Sequence, residues 1–313
     1  LRRLSVMKRM SIRIPATSGN LGPGFDALAL AFQLYCRITI EVDEENISGG
    51  PHVELSGRYC QGLPKDSNNL ILKVIEANIG PDKSILAHTK LKVENDIPLA
   101  RGLGSSSAAA CGAFWCARWL CDLIPGRDET IQFVAQLEGH GENAAASVLG
   151  GFVVVAKAKG DNYACVSSAW PSRWSTLVVV PDYEVSTPAA RKILPRTAGL
   201  NEVVRNIQNT ALLVSAIDRD DELLLSLSLK DFIHEPYREA LVSELSSLRA
   251  TLRRSPSLGV VLSGAGSSVL VIVDQSYKDD VLEKIYSWQT KNSPGSKVFD
   301  LEVDRRGLVE EDG

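Results

Sequence analysis

Pro98-Leu99-Ala100-Arg101-Gly102-Leu103-Gly104-Ser105-Ser106-Ser107-Ala108-Ala109 is the stretch on which the reading of this chain turns. Its two glycines let the backbone turn tightly and approach a ligand closely. The serines cap a helical run of alanines that leads on to Phe114, Trp115 and Leu120. A helix N-terminus presents unpaired N–H groups and about half a positive charge, so phosphate binds there well. The serine hydroxyls can add hydrogen bonds or ligate Mg²⁺. No Lys follows the last Gly, so this is not a Walker A loop. Taken alone, glycine followed by serine is also just a good helix start.

Upstream of this loop, Ile12 and Ile14 alternate with polar residues and predict a short strand leading into a turn at 15–26. Ile38, Ile40 and Val42 predict a second strand by the same period of two. Residues 43–66, rich in Gly, Pro and charge, read as hairpins and loops; 69–78 reads as a helix, and Leu91 and Val93 as part of a strand. Downstream, the helix at 105–121 is followed by one at about 128–138 that stops at Gly139, a fitting residue just past a helix end. Residues 152–156 and 177–180 are continuous apolar runs, hence buried strands. Helices are expected near 188–193, 201–217 and 237–253. Strands at 260–262 and 269–273 are joined by Ser263-Gly-Ala-Gly-Ser-Ser268, and a helix near 277–288 precedes a strand near 297–303. Strands and helices alternate throughout, without repeats, so the class is mixed α and β; the domain boundary is placed after the buried strand near 180.

The 313 residues, 44% hydrophobic and 23% charged, are ordinary for a globular protein large enough for two domains. A net charge of -4 argues against a nucleic-acid binder but not against a locally positive phosphate site. No apolar run approaches the roughly 18 residues of a membrane span. Residues 1–10 are basic without an apolar stretch and read as a solvated tail, with structure starting near Ser11. The six cysteines form no C-x-x-C pair, and Cys111 and Cys116 lie in an alanine-rich apolar segment. Neither a disulfide framework nor a zinc site is expected, and a reducing cytoplasm is the default location.

Pro98-x-x-x-Gly-Leu-Gly-Ser-Ser-x-Ala resembles the second signature of the GHMP kinases. Pro15-Ala-Thr-Ser-Gly-Asn-Leu-Gly-Pro-Gly-Phe-Asp26 looks like their first, and Ser263-Gly-Ala-Gly-Ser-Ser268 like their third, in the expected order. The resemblance implies a two-domain α+β fold: an N-terminal ATP-binding domain at 11–180 with a left-handed β-α-β crossover, and a ferredoxin-like C-terminal domain at 181–313. Within the superfamily, four segments look like the homoserine kinase branch. These are Asn20-Leu-Gly-Pro-Gly-Phe-Asp26; Glu138-Gly-His-Gly-Glu-Asn143 with Leu149-Gly-Gly-Phe152; Ser186-Thr-Pro-Ala-Ala-Arg-Lys-Ile-Leu-Pro195; and Asp231-Phe-Ile-His-Glu-Pro-Tyr-Arg238. The branch usually has Pro-Asp where Gly141 and Glu142 stand, often Gln at Glu235 and Pro at Ser267. The first departure leaves the loop less stiff and bears on the geometry between His140 and Asn143.

The resemblance implies transfer of the ATP γ-phosphate to the side-chain hydroxyl of L-homoserine, a step of threonine biosynthesis. Homoserine carries an ammonium and a carboxylate, which call for an anion and for guanidinium forks. Asp26, with Asn20, is expected to take the ammonium. Arg191 and Arg238 would clamp the carboxylate, supported by Thr187, His140 and Asn143. His140 and Asn143 are the candidate catalytic residues, although His140 could be structural and a neutral Asn amide cannot serve as a base. The loop from Pro98 to Ser107 would hold the phosphates, and Asn69 matches the family's adenine-side Asn, where a helix-capping role is the alternative. Glu138 and Ser106 match the metal-contacting positions for Mg²⁺, an ion that prefers oxygen ligands. An acid in the last turn of a helix faces the negative helix end, so a compensating partner for Glu138 is expected. His234 reads as ordering its loop; His52 and His88 read as surface residues. Homodimers are common in this family. The competing readings are a mevalonate-, sugar- or shikimate-type kinase and a non-catalytic ligand sensor on the same scaffold. An amine site at Asp26 argues against the first, and an intact phosphate loop and metal Glu against the second.

Overall fold

The computed structural model describes residues 8–43 and 51–311. Its first sheet has strands β1 (Lys8–Gly19), β2 (Leu28–Val42), β3 (His52–Ser56), β4 (Thr89–Asn95), β5 (Phe152–Lys157) and β6 (Tyr163–Ser168). Helices α1 (Leu70–Asn78), α2 (Ser105–Leu120), α3 (Arg127–Glu138) and α4 (Glu142–Leu149) lie between them in sequence. Strand β7 (Trp174–Val180) is followed by α5 (Thr187–Lys192), α6 (Leu200–Arg219), α7 (Glu222–Ser228), α8 (Glu235–Arg238) and α9 (Ser243–Leu252). Strands β8 (Ser257–Leu262) and β9 (Val269–Asp274), helix α10 (Lys278–Asn292), and strands β10 (Lys297–Leu301) and β11 (Val309–Glu310) complete the chain.

The first sheet runs β11-β1-β2-β4-β3, with β5 and β6 added beside β2. Strand β2 is long because it serves two neighbours: Leu28–Leu30 pair with β5 and Cys36–Val42 with β4. Its pairing with β1 slips between Pro15 and Ala16, where proline has no N–H to give the ladder. Helix α2 packs on this sheet with Gly112 against Ile14 and Ile38, where an added Cβ would lie 2.6 Å from Ile38 Cδ1. The second sheet is antiparallel throughout, in the order β10-β7-β9-β8. Taken with α9 and α10, this is a β-α-β-β-α-β arrangement in which the first and third strands are central, the ferredoxin-like order.

The strand at 174–180, expected to close the first domain, pairs instead with β9 and β10 in the second sheet. Its two faces explain why the sequence did not place it. Val178 and Val180 pack into the core of the first sheet, whereas Leu177 and Val179 pack into a second core with Leu245, Leu248 and Trp288. A strand buried on both faces reads as one apolar run with no sidedness. The chain also returns: β11 pairs with β1, so residues 309–310 belong to the first sheet.

Strand β1 begins at Lys8 rather than near Ser11. Residues 1–7 of the basic stretch and 44–50 of the loop region lie outside the described residues, and within that loop region 52–56 forms β3, parallel to β4. The helix expected at 237–253 is two, α8 and α9. Strands β6 and β11 and helices α4 and α7 were not expected from the sequence. Almost every residue of α4 is buried, which leaves no polar stripe to reveal a helical period. All six cysteines are free thiols, and among the described residues no helix is long and apolar enough to cross a membrane.

Candidate active site

The three glycine-rich segments meet and hold each other. Thr17 N–H donates to Leu103 O at 3.1 Å, Ser268 N–H to Arg101 O at 3.1 Å, and Gly264 N–H to Gly19 O at 3.0 Å. Ser263 Oγ donates to Gly102 O at 2.7 Å and shares a hydrogen bond with Ser18 Oγ at 2.8 Å. Gly102 has φ +74°, and a Cβ there would lie 2.0 Å from Ser263 O; a Cβ on Gly104 would lie 1.9 Å from Thr17 Oγ1. The loop is therefore a shaped backbone cradle leading into α2. Gly102→Ala must both adopt a left-handed conformation and displace a backbone carbonyl. It is expected to cost stability near the top of the usual range of about 0.5–3 kcal/mol for single substitutions. Equilibrium denaturation checks this, and an unshifted midpoint would contradict the packing described.

Arg101 is committed elsewhere. Its guanidinium donates to Leu99 O (2.8 Å), Pro181 O (3.1 Å) and Asp182 O (2.8 Å), latching the loop to the chain that follows β7. Ser267, in the position where the family has Pro, donates its hydroxyl to Tyr183 O at 2.7 Å, a bond proline could not make.

At one end of the cleft Glu138 finds the partner that its position demanded. It ends α3, yet its carboxylate turns to the first turn of α2, where the helix dipole is positive. Ser107 Oγ donates to Glu138 Oε2 at 2.5 Å. Burial raises the Glu138 pKa above the ordinary carboxylate value, against the hydrogen bonds from Ser107 and Ser106 and the nearby His140. A buried carboxylate held up in this way is relieved by a cation. With the exposed Ser106 hydroxyl it forms an oxygen donor pair of the kind that suits Mg²⁺.

Beside it, Glu142 is a buried hub. Its Oε1 accepts from Asn143 Nδ2 at 2.7 Å and lies 3.2 Å from His140 Nδ1, an ion pair without hydrogen-bond alignment. Burial pushes the His140 pKa down, but Glu142 and then Glu138 outweigh it, so the net shift is upward. Thr17 Oγ1 donates to Asn143 Oδ1 at 2.7 Å. Both ends of the Asn143 amide are thus engaged. The geometry that the Gly141-Glu142 departure brought into question is held by the Glu142 carboxylate.

At the other end, Asp26, at φ +57°, makes a bidentate pair with Arg191: Nη1 to Oδ2 at 3.0 Å and Nη2 to Oδ1 at 2.7 Å. The two groups expected to hold opposite charges of a ligand hold each other here. Arg238, 2% exposed, donates to Ala190 O (3.2 Å), Gly264 O (3.2 Å) and His234 Nδ1 (3.3 Å), and to no carboxylate among the described residues. Burial, and then the charge of Arg191, lowers its pKa to about 10. Phe25 lies beneath both guanidinium groups, 5.5 Å from Arg191 and 5.2 Å from Arg238. Asn20 closes the turn, accepting Asp26 N–H at 3.1 Å and donating to Gly264 O at 2.9 Å.

A cleft of about 570 Å³ is lined by Asn20, Asp26, residues 100–107, Glu138, His140, Asn143, Thr187, Arg191 and Arg238. Pro98, Leu99 and Asn69 do not line it. Asn69 caps α1, accepting Ile71 N–H at 2.9 Å, and donates to Pro64 O at 2.7 Å. Sequence reasoning noted Glu142 only as a departure from the family pattern and did not single out Phe25 or Thr17. Their motifs were visible, but their partners lie far along the chain.

Residues 69–151 match the model of the GHMP kinases N terminal domain and 213–289 that of the GHMP kinases C terminal domain. The homoserine kinase of Lactococcus lactis is 34% identical over 305 residues, covering 96% of this chain and 98% of that protein. The homoserine kinase of Synechocystis is 33% identical over 269 residues, 86% of this chain and 87% of that protein. The crystal structure of homoserine kinase from Cytophaga hutchinsonii superposes with a TM-score of 0.83 over 99% of this chain and 100% of that one, at 24% identity. Mevalonate diphosphate decarboxylase from Staphylococcus aureus superposes with a TM-score of 0.69 at 15% identity, over 98% of this chain and 99% of that one. One fold thus carries different chemistries, and function must be argued from the site.

Proposed function

The chain belongs to the GHMP kinases, and within them to the homoserine kinases; from that premise we propose that the cleft binds L-homoserine beside Mg-ATP through the residues described above. It is an ATP-dependent phosphotransferase acting on an alcohol. The observation that carries the substrate assignment is Arg238, a buried guanidinium whose protein partners are two carbonyls and an imidazole nitrogen. A buried cation calls for an anion. Beside it the Asp26–Arg191 pair is matched to a zwitterion. The ammonium replaces Arg191 at Asp26, and the carboxylate takes the released Arg191 together with Arg238. Thr187 adds a polar contact, and the hydroxyl arm reaches toward Asn143 and the phosphate loop. We also read β3–α1–β4, whose strands pair in parallel, as the left-handed crossover of the family.

The phosphates of ATP lie along residues 100–107, where the N–H groups opening α2 face them. Glu138 and Ser106 are the residues that would hold Mg²⁺, which when bound neutralises charge on the transferred phosphoryl group. In this reading no strong protein base takes the hydroxyl proton. The Asn143 amide is not basic, the ammonium occupies Asp26, and His140 is paired with Glu142. The proton passes late in a loose transition state to the γ-phosphate or water. His140→Gln is therefore expected to lower kcat by less than about tenfold, because a general base contributes about 10²–10⁴-fold. Steady-state turnover with both substrates saturating checks this; a fall of a hundredfold or more would make His140 the base. A panel of homoserine, serine, threonine, mevalonate and shikimate with Mg-ATP tests the substrate. Serine's hydroxyl falls one methylene short of the phosphate, so it should react poorly. Equal turnover of mevalonate would overturn the assignment.

A further inference from the structure

We propose that His234 is a positioning residue for Arg238, fixing that guanidinium at the carboxylate end of the cleft and tying it to the 20–26 turn that carries Asp26; this rests on the homoserine reading above. His234 is fully buried and uses both ring nitrogens. Nε2 lies 2.8 Å from Gly22 O. A carbonyl can only accept, so Nε2 carries the hydrogen. Nδ1 lies 3.3 Å from Arg238 Nη1. A guanidinium can only donate, so Nδ1 presents its lone pair. Two independent contacts thus require the same neutral tautomer.

The surroundings agree. Burial lowers the His234 pKa and Arg238 adds to that, while Asp231 and Glu235 pull the other way without reversing it. Asp231 Oδ1 stands 3.8 Å from Nε2, and Asp231 Oδ2 accepts the N–H groups of Ile233, His234 and Glu235, which fixes the segment bearing the ring. The imidazole stacks on Phe25 at 5.1 Å between centroids, and that ring also underlies Arg238 and Arg191. Without the Nδ1 acceptor, Arg238 keeps only two carbonyls to aim it. The ring thus links the segment of Arg238 to the turn that carries Asp26, His234 to Gly22 spanning 212 positions, beside Gly264 O, which accepts from both Asn20 and Arg238.

The test compares wild type, H234N and H234Q on homoserine and on 3-aminopropan-1-ol, which is homoserine without its carboxylate. Asn can place an amide oxygen near the Nδ1 position and so still accept from Arg238; Gln reaches toward Gly22 and leaves Arg238 without that acceptor. H234Q is expected to raise the homoserine KM about tenfold or more while the ATP KM moves less than about twofold, and H234N should recover most of the loss. For 3-aminopropan-1-ol, kcat/KM should be the same in wild type and H234Q. The proposal fails if H234Q leaves the homoserine KM unchanged, or if it weakens both substrates equally, the mark of a general structural role. Wild-type enzyme using 3-aminopropan-1-ol as well as homoserine would remove the substrate reading itself, and the proposal with it; that failure is visible before any variant is made. Should the variants not fold, ¹⁵N NMR of wild-type imidazoles decides. A neutral Nε2–H tautomer for His234 at neutral pH is expected, and an Nδ1–H tautomer or an imidazolium would overturn the proposal.

Discussion

Glu138→Gln is expected to lower kcat by about 10²–10⁴-fold, the several kcal/mol that charge stabilisation by a bound metal supplies to phosphoryl transfer. The substitution keeps the shape of the side chain, and its amide oxygen can still accept from Ser107 Oγ, the partner that holds the native carboxylate. Burial disfavours the charge at this position, so a neutral amide there should leave the folded protein as stable as before or slightly more so. Loss of turnover without loss of stability separates a metal ligand from a structural acid. The measurement is kcat as a function of Mg²⁺ concentration, alongside a thermal melt. A variant that turns over normally at limiting Mg²⁺ would take Glu138 out of the metal site. One that unfolds would make Ser107–Glu138 a structural link between α2 and α3 first and a chemical one second.

Removing the guanidinium groups should act on homoserine and not on ATP, and the two arginines should differ. A charge-assisted contact is worth roughly 1.5–3 kcal/mol, about one to two decades in kcat/KM. Arg238→Leu should reach the upper end of that range in the homoserine KM, because Arg238 is buried and makes no carboxylate contact that binding must first break. Its stability should hold, since an unpaired buried cation is itself a burden on the fold. Arg191→Leu should fall near the lower end, because Arg191 must leave Asp26 before it can serve the substrate. The same pairing moderates what an amine-free analogue loses: with 4-hydroxybutyrate, Asp26 keeps Arg191 and is not stranded, but the carboxylate then has Arg238 alone. The expected penalty is therefore about one decade in kcat/KM. Steady-state KM values for homoserine and ATP in both variants check this. If both leave the homoserine KM unchanged, or if they shift the ATP KM instead, the carboxylate does not bind here.

Some features of this protein are local and therefore legible. Gly102 and Gly104 before three serines predict a tight loop and a helix start from backbone sterics alone, and the loop and α2 are where they were expected. The helix at 70–78 and the stop at Gly139 follow from the same kind of rule. Alternating Ile38, Ile40 and Val42 mark the half of β2 that pairs with β4, while its first half, pairing with β5, gave no such signal. Motif identity placed most of the residues that line the cleft, because each motif is a short backbone shape with chemistry attached.

What the sequence could not decide was which partner each polar side chain meets. Asp26 and Arg191 are 165 positions apart and were assigned to opposite charges of a ligand; folding pairs them. Thr17 and Asn143 are 126 apart, and the bond between them, with Glu142, is what holds the amide in place. Asn69 could be read as a ligand contact or as a helix cap, and the structure shows it capping α1. Strand β7 carries no mark of which sheet it joins, since both of its faces are apolar. Propensity and pattern act over a few residues. Hydrogen-bond satisfaction in a buried site is settled between segments that meet only when the two sheets have closed on each other.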